Sequence, residues 1–365
     1  MPARSFDIAI VGTGGIAAIH AQAWAALGGR ARIVAAVDVD ADQLAAFGRR
    51  FDVARCYGSV DDLLADQLPD LVDLCTPPGV HASQAIACLD RGATVLCEKP
   101  PALSLAEIDE IAAHGDRFAT VFQHRFGSGG LALAGLRRDG GLGAPMTAVC
   151  DTLWYRPDEY FAVPWRGRWE TEGGGPTMGH GIHQLDLMLA ILGPWREVVA
   201  VAARRARPTA TEDLSCALVT FASGMVATVV NSLVSPRQTS YLRFDFADAT
   251  VELTHLYGYG DEDWRVTGAP GADDRVRALW TARLSGARSG HAAQFGHVLD
   301  ALQSGAALPV TLADARQTMD LVASIYASAF TGRPVGRGEI GPGSPFYERM
   351  DGTGAPWPAH EKESG

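Results

Sequence analysis

The chain has 365 residues, 47% of them apolar, and a formal charge of −11 with no run of Lys or Arg. That length favours two domains, and the apolar share can fill a sizeable core. The charge argues against nucleic acid or an anionic membrane as a partner, and no apolar stretch is long enough to span a bilayer.

Met1 to Phe6 holds one positive residue and leads straight into an apolar run, so we expect no signal peptide and a cytoplasmic protein. Residues 6–11 read as a buried strand, and Ala18–Leu27 as a helix stopped by Gly28-Gly29. Arg32–Val37 is a second strand, followed by a helix over Asp42–Phe51. Strands over Leu71–Cys75, Ala93–Cys97 and Thr120–Gln123 alternate with helices over His81–Arg91 and Leu105–Ala113. That alternation predicts βαβ units, hence an α/β Rossmann domain with a parallel sheet over residues 1–125.

The pattern then changes. Leu142–Leu153, Val198–Arg205, Cys216–Phe221, Val226–Leu233 and Tyr241–Phe246 read as strands, several separated only by turns. They predict an α+β domain with an open, mostly antiparallel sheet over 126–335. One helix lies among them, Pro176–Leu192, opened by proline after three glycines and ended by Gly193-Pro194. Late helices are expected at 290–304 and 312–330. The tail over 336–365 is Gly/Pro-rich and patternless, and is expected to be loose or to wrap another subunit.

Gly12-x-Gly14-x-x-Ala17 stands between a strand and a helix. Gly12 permits the tight turn, and Gly14 lets the backbone of Gly14, Gly15 and Ile16 approach a pyrophosphate at the helix N-terminus. Asp38 ends the second strand, about 20 residues on, where a carboxylate accepts from ribose hydroxyls and repels a 2′-phosphate. NAD is therefore expected over NADP, with Arg49 and Arg50 the residues that complicate the choice. Ligands of such sheets sit beyond strand carboxyl ends, which is where Thr76-Pro77-Pro78 and Glu98-Lys99-Pro100 fall.

Two further counts matter. The six cysteines (56, 75, 88, 97, 150 and 216) form no CxxC pair and are expected to be reduced. Only two of the 31 basic residues are lysines, Lys99 and Lys362. Lys99 follows an apolar strand, a place where a compact ammonium does what a wide guanidinium does not.

These pieces resemble the family of glucose-fructose oxidoreductase and inositol dehydrogenase. The matching residues are Gly12-Thr13-Gly14-Gly15-Ile16-Ala17, Thr76-Pro77-Pro78-x-x-His81, Glu98-Lys99-Pro100, Gly173-Gly174-Gly175, Gly181-Ile182-His183-x-x-Asp186, and the ending Leu308 to Val335. The resemblance implies reversible oxidation of a carbinol in a sugar or cyclitol, with Lys99 holding the hydroxyl and His183 as acid/base. It also implies subunit contacts through the free face of the second sheet, in a homodimer or homotetramer. Histidine titrates near neutrality, and an ammonium stabilises a developing alkoxide, so the chemistry agrees. Candidate cofactor contacts are Gly12, Gly14, Gly15, Ile16, Asp38, Thr76, Pro77, His81, Glu98 and Gln123. Candidate substrate contacts are Arg125, Arg156, Trp165, Arg166 and His180, suited to a small polyhydroxylated ring.

The family's usual aspartate four residues before the histidine is Gly179 here. His180, His183 and Asp186 are spaced to share one helix face, so His180 or Asp186 is expected to orient His183. A metal is not expected on that stripe. The alternatives are a glycosidase or lyase that uses NAD transiently, and a non-catalytic NAD-binding regulator.

Overall fold

The structure is a computed structural model that describes residues 4–358; Lys362 lies outside them. The chain forms two compact units. The first holds the residues up to Ala102, Glu107–Val121 and His291–Arg316; the second holds Leu103–Ala106, Phe122–Gly290 and the residues from Gln317.

In chain order the first elements are β1 (Phe6–Val11), α1 (Gly15–Ala26), β2 (Ala31–Val37), α2 (Ala41–Phe51), β3 (Arg55–Tyr57), α3 (Val60–Asp66), β4 (Leu71–Leu74), α4 (His81–Asp90), β5 (Thr94–Cys97), α5 (Leu105–His114) and β6 (Phe118–Thr120). The six strands pair in parallel in the order β3-β2-β1-β4-β5-β6. Strands β4 and β5 are buried at every position, as a parallel sheet covered on both faces requires. The order reverses between β1 and β4, the position at which a doubly wound sheet opens a crevice. The strand expected over Thr120–Gln123 instead stops at Thr120, and Gln123–Phe126 forms a 3-10 turn.

The helix His291–Ser304 belongs to this first unit, although it follows the second unit in sequence. Phe295, Val298 and Leu299 are fully buried with Trp24, Ile8 and Leu71 in one cluster. The Phe295 ring stacks on Trp24 with centroids 4.2 Å apart. Periodicity showed the helix but not its partner, which lies some 270 residues earlier, by the order of the parallel strands, a distance local pattern does not reach.

The second unit continues with α6 (Ser128–Arg138), β7 (Pro145–Tyr155), α7 (Trp169–Glu172), α8 (Pro176–Gly179), α9 (Ile182–Leu192), β8 (Trp195–Ala203), β9 (Leu214–Phe221), β10 (Val226–Ser232), β11 (Val234–Phe246), β12 (Ala249–His255), β13 (Trp264–Gly268) and, later, β14 (Val335–Gly336). Its eight strands run β13-β12-β11-β7-β10-β9-β8-β14, antiparallel except for the β10–β7 pair. α9 is buried along nearly its whole length, which explains why its sequence is apolar all round. The expected single helix Pro176–Leu192 is broken at His180-Gly181. A Cβ on Gly181 would overlap the Asn231 amide oxygen, so the chain presses against β10 there and re-starts its helix.

The tail is neither loose nor patternless in its described part. Val335 pairs with Val198 as an edge strand, Phe346 is buried, and the Trp357 indole donates to the Ala210 carbonyl at 2.9 Å. Four cysteines are buried and two, Cys56 and Cys216, are exposed; all six are free thiols.

Truncating Phe295 to Ala should remove the stacking partner of Trp24 and leave a cavity in the first unit. We expect a loss of about 3–5 kcal/mol in urea unfolding. A loss below about 1 kcal/mol would show that the late helix is not part of that core.

Candidate cofactor and active site

In the first unit, three neighbouring strands end on one edge. The Gly12 turn follows β1, Thr76 follows β4 and Lys99 follows β5. Gly12 has φ +83°, and a Cβ there would come within 2.9 Å of the Cys75 carbonyl and Thr76. Gly14 and Gly15 have nothing within 4 Å of a built Cβ, so open space lies over the turn. Gly14 caps α1 with no side-chain bond, which leaves the first-turn N–H groups of a 12-residue helix facing that space. Backbone donors, a helix N-terminus and room together fit a pyrophosphate.

Asp38 sits at the end of β2 beside the turn. Its Oδ2 accepts from the Thr13 N–H and hydroxyl, both at 2.7 Å, and its Oδ1 from the Asp40 N–H at 2.9 Å. These bonds aim the carboxylate and leave lone pairs for a ribose. Arg49 and Arg50 lie in the last turn of α2, whose N-cap is Asp40. At 1.5 Å per residue the length of that helix, about 15 Å, separates them from the Asp38 end, which removes the objection to NAD.

Two of the expected cofactor contacts turn inward instead. His81 is fully buried, with Nδ1 2.8 Å from the Pro100 carbonyl and Nε2 2.8 Å from the Thr76 carbonyl. It ties together the loops after β4 and β5, and burial holds its pKa below the ordinary value against the pull of both carbonyls. Glu98 is buried too, and its Oε1 accepts from His20 at 2.9 Å. Its Oε2 accepts from the Lys99 N–H at 2.9 Å. Neither side chain is presented to a ligand, because a buried carboxylate or ring is stable here only if the protein satisfies it. Thr76 donates its hydroxyl to Gln84 at 2.6 Å, and Pro77 caps the short turn Pro78–Val80.

In the second unit, His183 lies in the first turn of α9 and is buried. Its ring is 4.9 Å from the His124 ring, tilted by 32°, and 6.2 Å from Phe122, edge-on. The Gln184 amide reaches the His124 Nδ1 at 3.4 Å and the His255 Nε2 at 3.2 Å. Of these, sequence pointed to His124 alone, as part of the segment Gln123-His124-Arg125 expected at a strand end near nicotinamide or substrate; Gln184 and His255 were not singled out, and β12 carries His255 there from a distant stretch. Gln123 has its amide oxygen buried without a hydrogen-bond partner, the kind of acceptor that a ligand amide or hydroxyl satisfies.

Of the expected stripe of His180, His183 and Asp186, the last two share α9 and His180 does not. The helix break puts His180 beside Trp154, ring centroids 5.2 Å apart, and outside the helix of His183. Asp186 is occupied by a bidentate pair from Arg125, both bonds at 2.6 Å, and by the Thr318 hydroxyl at 3.1 Å. Arg125, expected to meet substrate, thus anchors α9 instead. Such a buried pair is retained only when both partners are present.

Arg156 and Arg166 do form an aromatic platform. The Arg156 guanidinium lies 4.8 Å over Trp154, and Arg166 lies 4.0 Å over Tyr160 and 4.3 Å over Trp165. Arg156 also donates to the Tyr257 hydroxyl at 2.9 Å. The triple glycine has a packing reason: Cβ atoms at Gly174 and Gly175 would overlap the Tyr326 hydroxyl and the Glu212 carbonyl. Glu212 then accepts from the Gly175 and Thr177 N–H groups and from Tyr326, at 2.9, 3.1 and 2.7 Å, fixing the start of α8.

Known proteins fit this arrangement. Residues 6–124 match the model described as an oxidoreductase family with an NAD-binding Rossmann fold, and residues 131–272 match the Gfo/Idh/MocA C-terminal domain. The chain belongs to the Gfo/Idh/MocA oxidoreductase family. It is 27% identical to the D-apiose dehydrogenase of Paraburkholderia graminis, over 91% of this chain and 90% of the relative. It is 31% identical to the inositol 2-dehydrogenase of Acidothermus cellulolyticus, over 63% of this chain and 67% of the relative. Among solved structures, the WlbA dehydrogenase of Bordetella pertussis with NADH and UDP-GlcNAcA superposes with a TM-score of 0.80 at 25% identity, covering 91% of this chain and 98% of that one. The chain is thus an NAD-dependent oxidoreductase, with an NAD-binding Rossmann domain followed by the family's C-terminal domain.

His255 gives a pH test of the second unit. Burial lowers its pKa to about 4, below the ordinary 6.5. The unfolded chain therefore binds the proton more readily, so stability present above pH 6.5 is lost as pH falls toward 4. Between pH 7 and 5 the wild type should lose about 2 kcal/mol from this group, and His255→Gln should not. Equal pH slopes in urea unfolding would refute the neutral buried ring.

Proposed function

We propose that this chain moves a hydride between NAD and a secondary carbinol of a sugar, sugar derivative or cyclitol. The observation that carries it is the alignment, on one edge of the parallel sheet, of the Gly12–Gly14 turn and the chain's one described lysine, Lys99. The names of the relatives support the substrate class: D-apiose dehydrogenase and inositol 2-dehydrogenase.

Bound nicotinamide supplies the hydride acceptor. The residues of the chain do the rest. The Lys99 ammonium holds the reacting hydroxyl and stabilises its negative charge as the proton leaves. His183 takes that proton and returns it in the reverse direction. Gly12, Gly14, Gly15 and Ile16 supply the backbone for the pyrophosphate, Asp38 takes the ribose, and Thr76, Pro77 and Gln123 line the cofactor. Arg156, Trp165, Arg166 and His180 face the sugar, for which stacked rings and fixed guanidinium donors are suited.

The chain is further proposed to be a homodimer or homotetramer in the cytoplasm, the latter on the strength of six free thiols. Val199, Val201, Leu218 and Val226 stand exposed on β8, β9 and β10, with Leu218 paired opposite Val199. An apolar sheet face of this kind is ordinarily covered. Light scattering at micromolar concentration should give a dimer or larger, and a monomer would remove the proposal.

The activity test is a panel of sugars, cyclitols and sugar acids with NAD and NADP, followed at the NADH absorbance. At least one substrate should be turned over with NAD preferred. Lys99→Ala should remove most of kcat, by about 10²-fold or more, and Lys99→Arg should not restore it. His183→Ala should lower kcat and erase the limb of the pH profile near neutrality. Full activity in either alanine variant would overturn its assigned role, and product without NADH would favour transient oxidation over net oxidation.

A further inference from the structure

The first unit buries a group of ionisable side chains that the chemistry above does not use. His20, on α1, is completely buried. Its Nδ1 lies 3.0 Å from each oxygen of Asp73, and its Nε2 lies 2.9 Å from Glu98 Oε1. Both ring nitrogens therefore face carboxylate oxygens. A neutral imidazole has one N–H and leaves one of these contacts repulsive; an imidazolium has two.

The other groups facing His20 support that charge state. Asp73 on β4 also accepts from the Trp24 indole at 2.7 Å. Cys75, beyond β4, has its Sγ 3.2 Å from Nδ1, and burial pushes its pKa to about 12, so it stays a thiol. His291, on the late helix, has its Nε2 3.4 Å from the same Glu98 oxygen, and its ring centroid is 4.7 Å from that of His20. Phe295 closes the remaining side, edge-on at 5.0 Å. Burial opposes a charge on His20, but Asp73 outweighs it and leaves the ring well above its ordinary pKa. Burial alone would raise Glu98, but the hydrogen bond with His20 and the nearby His291 ring outweigh it and hold the carboxyl well below its ordinary value. Donor atoms of His20, Glu98 and His291, and of His20, Asp73 and Cys75, also lie within metal-binding spacing of one another. A metal would have to displace the bonds that His20 already makes to both carboxylates.

Glu98 is the residue before Lys99, and its second oxygen holds the Lys99 N–H. We propose that His20 is a positioning residue: as an imidazolium clamped between Asp73 and Glu98, it fixes the Glu98 carboxylate, which holds the Lys99 peptide in place. This rests on the reading that Lys99 holds the reacting hydroxyl. The effect runs from α1 through Glu98 to Lys99 without His20 touching substrate. Without the clamp, the buried Glu98 carboxylate loses its charged hydrogen-bond partner and re-orients, because a buried charge is costly when weakly paired.

The test uses the full-length enzyme with NAD and a substrate from the panel. In His20→Gln, kcat should fall by about 10²-fold, the loss expected of a slight misplacement, while the KM for NAD changes little. Glu98→Gln should do the same, and the double variant should lose little more than either single one, because the two act as one unit. In the wild type, nitrogen-15 spectra of the histidine rings should show His20 doubly protonated through pH 8. A neutral His20 ring at pH 7 overturns the proposal even if the variants fail to fold. So does a folded His20→Gln enzyme with unchanged kcat when Lys99→Ala is inactive. Full kcat in Lys99→Ala would instead remove the role of Lys99 itself, and the proposal with it.

Discussion

The approach of Gly12 to the end of β4 is the constraint on which the site depends. The Gly12 N–H donates to the Val37 carbonyl at 2.8 Å, and the Cys75 N–H to the Val11 carbonyl at 2.7 Å. The turn is thereby pinned against two strands at once. A single methyl at Gly12 would strike the Cys75 carbonyl, and φ +83° is costly for any other residue. From that fixed point follow the direction of α1, the placement of Asp38 beside the turn, and the spacing of the strand ends that bear Thr76 and Lys99. His20 lies on α1, so the same turn that makes room for a pyrophosphate also delivers the buried ring to Asp73 and Glu98.

Both units hold buried polarity in networks of paired charges. The first sets His20 between two carboxylates. The second sets Arg125 on Asp186 and adds donated hydrogen bonds on Glu212. Each arrangement is satisfied on all sides, and partial satisfaction in a low-dielectric interior is costly. Such networks therefore tolerate no single substitution quietly, in contrast to the apolar cluster around Trp24, where volume is what matters.

Much of the first unit was legible in the sequence. Its strands are short apolar runs, its turns hold glycine or proline, and each helix is local. The second unit was legible as strands but not as a site. His124, His255 and Gln184 meet only because β12, α9 and the turn at Gln123–Phe126 pack together, and no spacing in the sequence records that. His180 falls outside the helix of His183 and Asp186 for a related reason: i, i+3 spacing predicts a shared face only if the helix is continuous, and the contact between Gly181 and Asn231 breaks it before His183. Glu98 and His81 were placed at the correct strand ends, but pattern does not tell which way a polar side chain turns. The late helix around Phe295 shows the same limit at longer range.

The scarcity of lysine has a practical consequence. The described residues hold a single ε-amine, that of Lys99, amid an otherwise guanidinium-rich set of cations. Reagents that acylate amines ignore guanidinium groups at neutral pH. Labelling chemistry that on most proteins reports on dozens of scattered surface sites would here register, among the described residues, the one amine at the strand edge. The extent of that label would serve as a meter of occupancy at the strand edge, readable by mass and requiring no substrate.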